Sequence, residues 1–292
     1  MELSDIESVT KKPLPFQEHV IMPLGDIQIQ QDRNAVDWSL LRNTVQWGVD
    51  HNAYWIGMGD YIDMESPSNR RALLNSGVYD SVMDALDAKA EELEEELKEI
   101  LKPTVGRWLG LLEGHHYHPH QDGTTTDTRL AQYLKAPFLG TCAYVNVSIE
   151  LPSKKGKQDI IIWCHHGRGG GSLIGSPLNK LEHVVKGFDA DIYLMGHTHK
   201  VGAAPVNRVY PYFYAGKGTL HHKKLYLVST GSFLKGYVEG HKKNGRAGGL
   251  YPEDSMMNPL ALGSARIYLR PEYKNNKFTN GGAPRIDVSV EV

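Results

Sequence analysis

Cysteine is almost missing from this chain: Cys142 and Cys164 are the only two among 292 residues. The second lies inside an apolar run, so both are expected as reduced, buried thiols rather than a disulfide. Also missing is any run of 18 apolar residues, which excludes a transmembrane helix and argues against a membrane partner. The first twelve residues are polar and acidic and contain no apolar segment. No secretory signal peptide is therefore expected, and the chain is expected in the cytoplasm. A dominant charge is lacking too. With 32 Lys and Arg against 34 Asp and Glu, the net charge of −2 gives no general polynucleotide footprint. There is no repeat of fixed period and no Pro/Ser/Gly-rich linker, so residues 1–292 are expected to form one α/β domain.

What is present is a series of short apolar runs that end in a restricted set of polar residues. Residues 19–24 (HVIMPL) read as a strand and are followed by Gly25-Asp26-Ile27-Gln28. A helix-period segment at 35–48 leads to a second strand at 53–58, which ends in Gly59-Asp60-Tyr61-Ile62-Asp63. Strand, helix, strand with compact turns is a parallel βαβ unit, and ligands gather at the carboxyl ends of such strands. Residues 64–79 read as irregular. A long helix is expected over 80–101, with its acidic block at Glu91, Glu92 and Glu94 to Glu96 forming a solvated face. Residues 105–112 then carry the chain into Gly114-His115-His116-Tyr117-His118-Pro119-His120. A helix at 128–134, an alternating strand at 144–151 and a basic loop at 153–158 come next. The most strand-like run, 159–164, ends in His165-His166-Gly167, and a helix at 177–187 follows it. The run 190–195 stops at Gly196-His197-Thr198-His199. From residue 209 the pattern becomes short β segments, at 209–214, 224–228, 265–269 and 286–290.

In extended chain, side chains at i and i+2 point the same way, so His197 and His199 can project together as metal ligands. The ordered set Asp26-x-Gln28, Gly59-Asp60-x-x-Asp63, Gly114-His115-His116, His165-His166 and Gly196-His197-x-His199 resembles the calcineurin-like metallophosphoesterases. Their motifs run D-x-H, G-D-x-x-D, G-N-H-D/E, H and G-H-x-H, and the resemblance covers residues 19–231. It implies a four-layer αββα sandwich of two mixed β-sheets, with a helical insertion at 64–101 and a loop-rich β part at 209–292. It also implies two divalent metal ions, Mn²⁺ first, with Zn²⁺, Fe and Mg²⁺ as alternatives. Asp26, Gln28 and His199 would hold one ion. His115, His197 and one of His165 and His166 would hold the other, with His165 preferred because it sits at the strand end. Asp60 would bridge the ions, Asp63 and His166 would support the ligands from behind, and His116 would steady the transition state or protonate the leaving group. Two ions about 3.5–4 Å apart clamp a phosphate and supply hydroxide near neutral pH. The resemblance therefore implies a hydrolase of phosphodiester, or else phosphomonoester, bonds that works by attack of metal-bound hydroxide.

Two positions depart from the family pattern. Gln28 stands for a histidine, and its neutral amide oxygen is a weaker donor, so a looser first site is expected, tolerant of Mn²⁺ or Mg²⁺. His115 stands for an asparagine and keeps a competent ligand. Two alternatives stand beside the hydrolase: a DNA or RNA nuclease of the same superfamily and, because of these two departures, a catalytically weak metal-binding scaffold for a protein partner. His118 and His120 are expected at the surface or on the substrate side rather than as metal ligands. Arg168, in the loop with Gly167 and Gly169 to Gly171, is a candidate phosphate contact. Basic clusters at 219–224 and 241–246 lie near Tyr210, Tyr212, Phe213, Tyr214 and Tyr237. These aromatics are expected in the core or in a homodimer interface rather than on nucleic acid. Residues 229–233 (STGSF) are expected to be structural.

Overall fold

The computed structural model describes residues 7–77, 79–152, 156–171, 173–214, 216–243, 245–274 and 283–292. In chain order the strands are β1 (Glu7–Leu14), β2 (His19–Leu24), β3 (Tyr54–Gly57), β4 (Trp108–Leu111), β5 (Cys142–Glu150), β6 (Lys157–His165) and β7 (Ile192–Met195). They continue with β8 (Val201–Tyr214), β9 (Lys217–Ser232), β10 (Lys242–Lys243), β11 (Arg246–Ala247), β12 (Gly263–Ser264), β13 (Arg266–Lys274) and β14 (Ala283–Glu291). The helices are α1 (Trp38–Asp50), α2 (Pro67–Ser76), α3 (Asp80–Leu101), α4 (Thr126–Leu134), α5 (Ser176–Val184) and α6 (Tyr251–Asp254).

Two mixed sheets result. One runs β14-β13-β2-β3-β4, with β2, β3 and β4 parallel and β13 antiparallel to β2. The other runs β1-β5-β6-β7-β9-β12, with β8 also paired to β9. Ile21 and Ile56 of the first sheet pack against Val145, Ile162, Ile192 and Val228 of the second, which makes the core between the sheets. On the far face of the first sheet, Met22, Leu24 and Trp55 meet Leu41 and Val45 of α1, Leu93 and Leu97 of α3, and Leu130 and Leu134 of α4. On the far face of the second, Trp163, Tyr193 and Leu227 meet Leu181 of α5. Helix, sheet, sheet, helix is the αββα order the motifs imply.

Local sequence explains the elements. Asp37 caps α1 by accepting from the Leu40 N–H, and Thr125 and Thr128 form a reciprocal capping box on α4. The long helix has the expected bounds, 80–101. The stretch at 64–79, expected to be irregular, contains α2, capped by Ser66 with Pro67 in its first turn and ended by Gly77 in a left-handed turn. Its apolar period is weak because the helix is largely exposed. The first strand, β1, pairs in parallel with β5 at the sheet edge. The acidic block of α3 needs correcting at one position: Glu94 is buried, while Glu91, Glu92 and Glu95 are exposed. The short segments expected at 209–214 and 224–228 belong to one long hairpin, β8 with β9, whose outer half stands clear of the sheet. Tyr210, Tyr212 and Phe213 on it are exposed, so they are not core residues. Cys142 and Cys164 are free, as expected. The basic loop expected at 153–158 lies partly outside the described residues.

Ile162 is fully buried between the sheets. Ile162→Ala is expected to cost about 2–5 kcal/mol, the usual range for a buried large-to-small change, read from the urea midpoint. A loss under about 1 kcal/mol would contradict the face-to-face packing of the sheets.

Candidate metal centre

The polar residues that end β2, β3, β4, β6 and β7 converge. Asp60, His115, His166 and His197 each offer a ligand atom, and these atoms all lie within 4.8 Å of one another. The backbone that presents them is unusual. Among the described residues, eight non-glycine residues have positive φ, and five of them are Asp26, Gln28, Asp60, His197 and His199. Left-handed backbone costs an ordinary residue about 1–2 kcal/mol, so the surrounding contacts hold these turns against their own preference. Gly59 and Gly114 let the strand ends approach closely: a Cβ on Gly59 would sit 2.6 Å from His166 Nδ1, and one on Gly114 would run into Asp60.

Hydrogen bonds lock the arrangement. Asp26 Oδ2 accepts the His197 N–H at 2.7 Å, and the Asp26 carbonyl accepts from the Ser232 hydroxyl at 2.7 Å and the Phe233 N–H at 3.2 Å. Residues 229–233 thus act structurally, by holding the β2 turn. The Gln28 N–H donates to the Asp60 carbonyl at 3.0 Å, and its Nε2 lies 3.3 Å from His199 Nε2. Asp60 Oδ1 accepts the backbone N–H groups of His115 and His116.

The second oxygen of Asp60 carries the decisive observation. Asp60 Oδ2 and His166 Nε2 lie 3.2 Å apart, both are buried, and neither has a properly aligned hydrogen-bond partner. His166 Nδ1 is 2.6 Å from the Met58 carbonyl, which can only accept, so Nδ1 carries the proton. A neutral His166 therefore turns a lone pair toward a carboxylate oxygen, and a positive charge must stand between them. In the metal-free chain that charge is a second proton. Burial works against it, but the Asp60 carboxylate outweighs burial and raises His166 to about 9. Asp60 itself is held well below the usual carboxylate range, against its burial, by His166 and the backbone donors. Asp26 Oδ1 is a third buried atom without a partner, 3.6 Å from His199 Nε2. Burial pushes Asp26 up to about 8, with the charge of Asp60 adding to it and His166 opposing. Burial lowers both His197 and His199 to about 4, so at neutral pH they are uncharged imidazoles able to ligate. The neutral imidazoles of His197 and His199, the Asp60 carboxylate and the unpartnered Asp26 Oδ1 fit a divalent cation, which would displace the protons held on His166 and Asp26.

Not every sequence candidate takes the expected place. His165, preferred at the strand end, turns away from the cluster: its Nδ1 accepts the Gly167 N–H at 2.7 Å, and its ring stacks with Trp163. His166 occupies the position beside Asp60. The cause is the period of two in β6, which sends Ile160, Ile162 and Cys164 to the inter-sheet core and Trp163 to the outer face. His166 continues the inner set. Asp63 does not reach the cluster; its Oδ1 lies 2.7 Å from His116 Nδ1. That bond raises the His116 pKa against the effect of burial. Arg168 is exposed, and Lys180 donates to the carbonyls of Arg168, Gly169 and Gly170, which ties down the loop. His118 and His120, expected at the surface or on the substrate side, are buried in the loop between β4 and α4.

Two further residues were not picked out from the sequence. Arg70 of α2 donates to the carbonyls of Tyr117 and His115 at 2.6 and 3.2 Å and stacks on the Tyr117 ring. Asp127, in the first turn of α4, accepts the Gly114 N–H at 2.8 Å. An acidic residue just after a capping threonine was the available signal for it.

Burial raises Asp127 to about 7. A carboxyl raised on folding binds more protons in the native than in the unfolded chain between about pH 4 and 7. Stability therefore falls as pH rises through that window, by at most about 1.4 kcal/mol per pH unit for one proton. In EDTA, Asp127→Asn is expected to gain stability relative to wild type from pH 5 to pH 8, read from urea midpoints. A difference that stays constant with pH would contradict this.

No family model and no curated protein matches the chain. Among solved structures it is similar to vacuolar protein sorting 29 from Cryptosporidium parvum, at 14% identity over 94% of this chain and 98% of that one, with a TM-score of 0.36. It is also similar to a predicted phosphoesterase from Streptococcus pneumoniae, at 12% identity over 94% and 88%, with a TM-score of 0.34. A third is Vps29 from Entamoeba histolytica, solved with Zn²⁺, at 12% identity over 93% and 98%, with a TM-score of 0.36. Likeness at this level carries no argument about chemistry, which rests on the residues described above. Two mixed sheets between helical layers, with ligand-type side chains gathered beyond their strand ends, form the architecture that the resemblance to the calcineurin-like metallophosphoesterases implies.

Proposed function

We propose that this protein is a metal-dependent phosphoesterase of the calcineurin-like superfamily, acting on phosphodiester or phosphomonoester bonds. One observation carries the reading: Asp60 Oδ2 and His166 Nε2, both buried and 3.2 Å apart, within a cluster of imidazoles. Asp26, Gln28 and His199 would hold one divalent ion, and His115, His166 and His197 a second, with Asp60 shared between them. Mn²⁺ is the first choice and Zn²⁺, Fe and Mg²⁺ the alternatives, because Gln28 offers a hard oxygen among imidazoles. When bound, such ions polarise the phosphoryl oxygens and lower the pKa of water. The chain's own contribution is position and proton. Asp63 holds His116 by one ring nitrogen and leaves the other free to give a proton to the leaving oxygen. The five left-handed residues fix the ligands before substrate arrives, so little reorganisation is needed at the reaction.

A second reading, a nuclease, is favoured by the exposed Tyr210, Tyr212 and Phe213 on the hairpin that also carries exposed Lys217 and Lys224. Aromatic faces beside basic groups can stack and neutralise single strands. Binding to single-stranded DNA that weakens steeply with salt would support it, and a flat response would remove it.

With bis-p-nitrophenyl phosphate and p-nitrophenyl phosphate as substrates, His116→Ala is expected to lower kcat about 10²–10⁴-fold while metal content stays at the wild-type level. Asp60→Asn is expected to lose metal and turnover together. If His116→Ala empties the centre, its assignment to proton transfer is wrong. If the metal-loaded wild type turns over neither substrate, the enzyme reading gives way to the scaffold.

A further inference from the structure

A second group of ligand-type side chains lies apart from the centre and is not used by the mechanism. Asp87 of α3, and His118 and His120 of the loop after β4, each offer one donor, all within 4.8 Å of one another. His118 Nε2 is 2.7 Å and His120 Nδ1 is 3.6 Å from Asp87 Oδ1. The two rings stand nearly perpendicular, at 86°, with centroids 5.0 Å apart.

Each of the remaining polar atoms of the three side chains is held by another group. His118 Nδ1 is 2.8 Å from Glu65 Oε1, and His120 Nε2 is 2.8 Å from Glu94 Oε1. Asp87 Oδ2 accepts from the Gln121 backbone N–H at 3.2 Å and from Gln121 Nε2 at 3.3 Å. A histidine that binds a metal through one nitrogen characteristically gives its other N–H to a carboxylate, which fixes the tautomer and makes the free nitrogen more basic. His120 has that arrangement with Nδ1 left over, while the second nitrogen of His118, Nε2, is hydrogen-bonded to Asp87 Oδ1 at 2.7 Å, a contact that a bound ion would replace. Independently of it, His120 Nδ1 is buried with no hydrogen-bond partner and faces into the group. The charge balance points the same way. Glu65 and Glu94 are buried, and Lys98, which bonds Glu94 at 3.4 Å, is shared with exposed Glu95 at 2.8 Å.

We propose that Asp87, His118 and His120 form a second, separate metal site that takes Zn²⁺. Two imidazoles and a carboxylate are zinc donors, and tetrahedral bonds of about 2.0–2.1 Å place neighbouring ligand atoms roughly 3.3 Å apart. The two contacts to Asp87 Oδ1, at 2.7 and 3.6 Å, lie on either side of that spacing, so an ion would move His118 and Asp87 apart. The partial exposure of Asp87 leaves a fourth position to water. The site joins α3 to the loop that carries His115 and His116, and through Glu65 it also reaches the segment that follows Asp60 and Asp63. Its role is to staple the long helix under the catalytic loop.

The test is a titration with Zn²⁺ alone after EDTA treatment, read by elemental analysis and thermal unfolding. In an Asp60→Asn/His197→Ala background, from which proposed ligands of the main centre are removed, one zinc per chain is expected to remain and to raise the Tm. Adding Asp87→Asn is expected to weaken that zinc at least tenfold and abolish the Tm rise. Gln121→Ala, which removes one orienting donor, is expected to weaken it by a smaller factor. If the background variant does not fold, the same difference of one zinc per chain is expected between wild type and Asp87→Asn, with circular dichroism in EDTA matching between the two. No zinc in the folded background, or equal zinc with and without Asp87→Asn, would overturn the proposal.

Discussion

Asp60 is the knot of this structure. Its backbone carbonyl receives the turn after β2, and its Oδ1 receives two N–H groups from the turn after β4. Its Oδ2 confronts His166 from the other sheet across 3.2 Å. A buried carboxylate oxygen and a ring nitrogen rest this close only with a positive charge between them, a proton in the metal-free chain or a bound cation in its place. Much else about the site follows from that constraint. The neighbouring strand ends adopt left-handed backbone to bring their side chains to the same point, and Gly59 and Gly114 permit the approach. The core between the sheets, filled by Ile21, Ile56, Val145 and Ile162, supplies the rigidity that holds the unfavourable turns.

Around this knot the site divides its work. Asp60, His115, His166 and His197 gather their ligand atoms at one point, and Asp26, Gln28 and His199 lie beside them as the proposed holders of a second ion, with His197 and His199 neutral because burial lowers them. His116 and Asp63 stand on the solvent side, each about a quarter exposed, where a substrate's leaving group would arrive. Arg70 and Asp127 hold the ends of the loop between them, one from α2 and the other from α4. The network of partly exposed Asp87 with buried Glu65, Glu94, His118 and His120 ties the same loop to α3. Such second-layer groups decide whether a ligand set is held within a fraction of an ångström of what the chemistry needs.

Much of this was legible in the sequence, for identifiable reasons. Apolar runs that stop at Gly-Asp or Gly-His mark strand ends, and strand ends are where a parallel sheet gathers ligands. The bounds of α3 follow from its apolar stripe and the proline beyond it. What was not legible depended on tertiary packing. The choice between His165 and His166 turns on which face of β6 is inner, and both faces of that strand are apolar, so alternation alone does not decide it. Glu94 sits in a run of glutamates whose other members are solvated, and only the position of His120 distinguishes it. The β8 and β9 hairpin extends beyond the sheet, so its alternating aromatics look like core residues while facing solvent.

The central claim is that a divalent cation belongs between Asp60 and His166. Anomalous diffraction from crystals grown with Mn²⁺ tests it directly. A peak is expected within bonding distance of both Asp60 Oδ2 and His166 Nε2, with His165 left out of the coordination. A Mn²⁺-saturated crystal with no peak there, or with the ion on His165 instead, would contradict it.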